Sequence, residues 1–197
     1  VPVFNPSKPN LAHLKDVESL VEDGSLAQYR GTGIISRWIQ YATTGCHSHS
    51  AMIRRNGRGC DVLQIREFQG GSARPLESEV NRYPGMIDVF TLDLERWPEF
   101  NVRGALKYMR DLTGRDYGYW GVAHLALLRI PYVRRLWRFT ADDARDSDSA
   151  PFCSHAVASA YRIGGGIDPV PRTPDDLVSP AHLTTSMLFK YQFTLIP

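Results

Sequence analysis

The chain is short of cysteine, of net charge and of long apolar runs, and each shortage removes a class of protein. Cys46, Cys60 and Cys153 are the three cysteines in 197 residues, too few for a disulfide scaffold, and the odd count leaves one thiol free unless chains pair. Cys46 and Cys60 flank a predicted strand, so a bridge between them and two inert thiols both stay open. The 23 basic and 21 acidic side chains leave a net charge of +2, which gives no electrostatic reason to expect a nucleic-acid partner. The cluster Arg134, Arg135 and Arg138 reads as a solvated helix face. The longest apolar stretch, 121–133, contains His124, Arg129 and Pro131 and is too short for a transmembrane segment, which needs about 20 apolar residues. No CxxC or HExxH unit is present, and Gly164-Gly165-Gly166 follows a predicted helix rather than a strand, so it is no phosphate loop. No cofactor is expected.

What is there describes an ordinary globular chain, 43% hydrophobic and 22% charged, expected to form a single domain over residues 1–197. The proline-rich residues 1–10 read as an N-terminal arm. The start at Val1-Pro2, without an initiator methionine, fits removal of an upstream segment, so localisation stays open, as does the oligomeric state. Helical spacing is predicted for Leu11 to Val21, for Ile34 to Ala42 with an apolar face broad enough to be buried, and for Val102 to Leu112. The alternation in Ser48 to Arg54 and Asp61 to Phe68, separated by Asn56-Gly57, predicts an antiparallel hairpin. Further strands are predicted at Met86 to Leu94 and Met187 to Leu195. A helix is expected from Phe152 to Arg162, and a short one capped by Thr173 with Pro174 in first position. The region around 119–150, aromatic and then acidic, reads as an enlarged helical and loop insertion whose Asp-rich end lacks calcium-loop spacing.

Three residue types bear on chemistry. Cys153 opens an alanine-rich helix behind Pro151-Phe152, where unpaired N–H groups favour a thiolate and could hold an oxyanion; a buried, inert cysteine is the competing reading. His47 and His49 offer a base. Glu67, in phase with Leu63 and Ile65, offers a carboxylate to orient the imidazole. Zinc on Cys46, His47, His49 and Cys153 is the alternative. Tyr117, Tyr119, Trp120 and His47 are candidate substrate-lining residues.

Taken together, ISRWIQYATTGCHSHSAMI, REFQGG, GRDYGYWG, FCSHAVASAYRIGG and TPDDL resemble, in order, the motifs of circularly permuted NlpC/P60 proteins, in particular the YiiX/YebB-like branch. The resemblance covers roughly residues 30 to 193. It implies an α+β, papain-like fold with a small antiparallel sheet packed against the nucleophile helix. It also implies Cys153 as nucleophile, His49 rather than His47 as base, and Glu67 as the polar third residue. The activity it implies is cysteine-dependent hydrolysis of amide or ester bonds, or acyl transfer, on a peptide or lipid-type substrate. A catalytically silent binding or structural protein is the alternative. Two stretches depart from the family pattern: Tyr29 to Gly33 lacks the Gly-Asp pair usual in the entry strand, and the segment 119–140 looks enlarged.

Overall fold

A computed structural model describes residues 4–57, 59–66, 69–115 and 152–197. Glu67, Tyr117, Tyr119, Trp120 and the insertion around 119–150 lie outside the described residues. The elements run β1 (Leu11–His13), α1 (Leu14–Val17), β2 (Leu26–Gly31), α2 (Ile34–Thr43), β3 (His49–Asn56), β4 (Gly59–Arg66), β5 (Gly70–Pro75), α3 (Leu76–Arg82), β6 (Gly85–Leu92), α4 (Val102–Asp111), α5 (Cys153–Ser159), α6 (Pro180–Thr184) and β7 (Phe189–Ile196). The strands form one seven-stranded sheet in the order β1-β7-β6-β2-β3-β4-β5. Its neighbours are antiparallel except β1 and β7, which run parallel. The fold is α+β, as expected.

Register decides which side chains share a face. In an antiparallel pair, directly opposed residues point the same way. Leu26 opposes Met52 and Phe90, and Met52 opposes Leu63, so these four share one face. That face is covered by α4 and α5 through Leu106, Met109, Ala156 and Val157. Ala27, Ala51, Ile53, Val62, Ile87 and Val89 occupy the other face, closed by Leu76 and Val80 of α3. Both faces of the central strands are therefore buried, each large aliphatic side chain contributing roughly 1.5–3 kcal/mol. The helical layer is held close by two glycines: a Cβ on Gly104 would stand 2.1 Å from the carbonyl of Gly164, and one on Gly164 2.5 Å from that of Gly104.

Several expectations change. The predicted helix Leu11 to Val21 is broken: Leu11–His13 pairs with Thr194 to Ile196 as an edge strand, and only Leu14–Val17 is α-helical. The arm is anchored, with Phe4 packed on His47, Phe90 and Tyr191. Thr173 caps nothing; the turn at Asp175–Leu177 has Pro174 in the cap position and no side-chain cap. Most consequentially, α2 is turned inside out. Ile34, Trp38 and Tyr41 are 81%, 65% and 81% exposed, so its apolar face meets solvent rather than the core. The less exposed side is mixed, with Ser36, Ile39, Gln40, Ala42 and Thr43 half-buried, and Gln40 donates to the carbonyl of Gly31.

Candidate ligand site

The loop after α2 turns at Thr44, in left-handed conformation, and delivers Cys46 and His47 to the sheet face that carries Phe90. There Asp88, fully buried, gathers four bonds. Arg30 donates twice, at 2.5 and 2.7 Å, Thr194 Oγ1 donates at 2.5 Å, and His47 Nε2 lies at 2.6 Å. Burial alone would raise the Asp88 carboxyl, but the bonds from His47, Arg30 and Thr194 overcome it and hold the group below the usual carboxylate range. Burial likewise lowers His47, partly offset by Asp88. The second nitrogen of His47 is also engaged, with Thr184 Oγ1 2.9 Å from Nδ1. Cys46 Sγ lies 3.7 and 3.8 Å from the two ring nitrogens, which places it over the ring rather than in line with either lone pair. Its thiol is pushed up, chiefly by desolvation.

Above this network lies an open groove of about 800 Å³. Its walls come from Phe4, Trp38, Tyr41, Ala42 and Ala181, and its floor from Cys46, His47 and Thr184. The paired floor and apolar walls suit contact with an apolar group.

His49 stands elsewhere. Opposite Tyr29 in the register, it shares the face of Ala51 and Ile53, and its ring packs edge-on to Tyr29 with centroids 5.0 Å apart. Its Nε2 lies 3.0 Å from Oε1 of Gln64, and Gln64 Nε2 donates to Glu79 at 3.1 Å. Arg66 completes the chain with a 2.8 Å bond to Glu79. Desolvation, then the nearby Arg66 charge, drives the His49 pKa down to about 3, against the opposing bond to Gln64. Gln64 was missed by the sequence reading because alternation in β4 singles out Leu63 and Ile65, whereas Gln64 is buried on the opposite face.

Cys153 opens α5 and is 6% exposed. The next residue, Ser154, ties the helix start to the carbonyl of Val178 at 2.6 Å. All three cysteines are free thiols, so no Cys46–Cys60 bridge forms. Among the described residues, no group of three or more His, Cys, Asp and Glu could hold a metal ion, and no helix is long and apolar enough to cross a membrane.

No protein-family model matches the chain, and no curated protein matches it significantly. Among solved structures it is similar to the metalloprotein YiiX from Escherichia coli O157:H7, with a TM-score of 0.62 and 15% identity over 89% of this chain and 98% of that one. The chain has the YiiX-type fold, a permuted NlpC/P60-like architecture.

That likeness corrects the expected activity. The resemblance implies a thiol hydrolase, whether cysteine peptidase, amidase or acyltransferase, yet the protein sharing the fold is described as a metalloprotein. The geometry agrees with the correction. The helix bearing Cys153 packs on the face of Met52, Leu63 and Ile65, while His49 lies on the face of Ala51 and Ile53 and is bonded to Gln64. Cys153 and His49 are not assembled as nucleophile and base.

Proposed function

We propose that this chain binds a lipid-type ligand in the groove beside α2, without hydrolysing it. The observation that supports this is the combination of apolar walls with a floor whose hydrogen-bonding groups already have partners. A ligand there gains by removing apolar surface from water, at about 25 cal/mol per Å². A peptide is the weaker candidate. Among the described residues the lining comes from the arm, α2, the following loop and α6, with no strand edge to pair the N–H and C=O groups of an extended peptide backbone. An acyl chain carries no such groups. A metal-dependent role, which the description of YiiX brings to mind, does not fit the described residues: both nitrogens of His47 are engaged, and no ligand cluster surrounds it.

The test is titration with an environment-sensitive fluorescent fatty acid. Saturable binding, displaced by an unlabelled fatty acid and weakened at least tenfold by Ala42→Trp, is expected. Absence of saturable binding, indifference to Ala42→Trp, or displacement only by an apolar peptide would each reject the lipid reading.

A further inference from the structure

A second, smaller pocket of about 220 Å³ lies where α2 meets β3 and β4, lined by Ser36, Ser48, His49, Arg66, Gln69 and Tyr83 among others. Its polar character is set by a directional relay. Gln64 uses its amide N–H toward Glu79, so the atom it turns to His49 is its carbonyl oxygen. An oxygen there accepts, which requires the proton of the neutral imidazole to sit on Nε2. Nδ1 is left with a lone pair and, among the described residues, no hydrogen-bond partner. His49 is 8% exposed and lines the pocket, and its Nδ1 is not among the fully enclosed polar atoms that lack a partner, so the lone pair opens to the pocket. Ser36 also lines the pocket, and its hydroxyl has no partner among the described residues.

The surrounding charges select the ligand. A cation answering Nδ1 would stand beside the guanidinium of Arg66. An anion would find that guanidinium already neutralised by Glu79 and would face the lone pair of Nδ1. A neutral group that donates and accepts meets neither penalty. We propose that this pocket is a binding site for a primary carboxamide, which donates an N–H to Nδ1 of His49 and accepts from the Ser36 hydroxyl. Glu79 and Gln64 act as positioning residues that hold the tautomer. The site is separate from the groove and stands or falls without it.

The experiment is ¹⁵N NMR of histidine-labelled protein, in which protonated and unprotonated ring nitrogens are well separated, titrated with acetamide, acetate and methylammonium. The expected result is an unprotonated Nδ1 and a protonated Nε2 in the free protein. Acetamide should shift Nδ1 saturably, with at least tenfold weaker responses to acetate and methylammonium. Glu79→Gln should relax the tautomer preference, and Ser36→Leu should abolish the acetamide response while the fold, read from the amide spectrum, persists. A proton on Nδ1, tighter binding of either ion, or no saturable shift with acetamide would each overturn the proposal.

Discussion

Nε2 of His49 lies 3.0 Å from the amide oxygen of Gln64, and that contact defines the imidazole's role. The ring is held by a neutral acceptor, itself oriented by Glu79, in a site that resists protonation. Among the described residues, the printed contacts of this imidazole include no carboxylate, and the ring meets the carbonyl oxygen of Gln64 instead.

The pH dependence of stability follows from this. The folded-state pKa of His49 is lowered from 6.5 to about 3, so between these values the unfolded chain binds more protons. The contribution is fully present above the unfolded pKa and is lost as pH falls toward the folded one, by up to about 1.4 kcal/mol per pH unit. Urea midpoints measured from pH 7 to pH 4 should fall in the parent and fall less steeply in His49→Gln. Equal slopes in the two proteins would refute the assignment.

Asp88→Asn should be strongly destabilising. It leaves the buried Arg30 without its counter-charge, a loss of about 3–5 kcal/mol for a buried pair broken from one side. The double variant Arg30→Met with Asp88→Asn should recover much of that loss, because no uncompensated charge remains. Denaturant unfolding of both proteins decides; a double variant no better than the single would place the cost elsewhere.

Trp38→Ala and Tyr41→Ala separate binding from folding. Both side chains are exposed and line the groove, so each change should alter stability by no more than about 0.5 kcal/mol. Each should nevertheless weaken fatty-acid binding severalfold. Thermal melts beside the fluorescence titration would show both effects; unchanged binding would move the ligand off α2.

The thiol of Cys153 should ionise independently of His49. Alkylation of the parent and of His49→Gln, followed across pH with mass-spectrometric site assignment, should give the same apparent pKa at Cys153. A clear rise in the variant would mean that the imidazole senses the thiolate after all, although the helix that begins at Cys153 packs through Ala156 and Val157 on the face opposite that of His49.

Glycine contacts between the helices give a structural check. Gly164→Ala would press a methyl group into the carbonyl of Gly104, and α4 would have to move away from the turn after α5. Overpacking of this kind costs about 1–3 kcal/mol. A fully stable variant would show that the two helices have room that the backbone contact denies.

Much of the architecture could be read from local pattern. Asn56-Gly57 between two alternating runs marks the β3–β4 hairpin, the alternation from Phe189 to Leu195 marks β7, and the apolar spacing of Val102 to Leu112 marks α4. These signals survive because hairpin turns and helical periodicity depend on residues near in sequence. Strand β2 escaped because Leu26 to Gly31 is buried on both faces and shows no alternation, and α2 was assigned its helix but the wrong exposed side.

The candidate site was less legible, for a reason particular to sheets. Within β3 the sequence shows that His49, Ala51 and Ile53 share a side, and within β4 that Leu63 and Ile65 do. Local alternation carries no information on the phase of one strand against the next. Only the register, Met52 opposite Leu63, reveals that these two sets face opposite ways, so that His49 meets Gln64. Cys153, His47 and His49 stand out in the sequence as residues that could serve chemistry, whereas Gln64 does not. Which of them share a side of the sheet was decided by tertiary structure, because a shift of one residue in pairing turns every side chain of a strand to the other face.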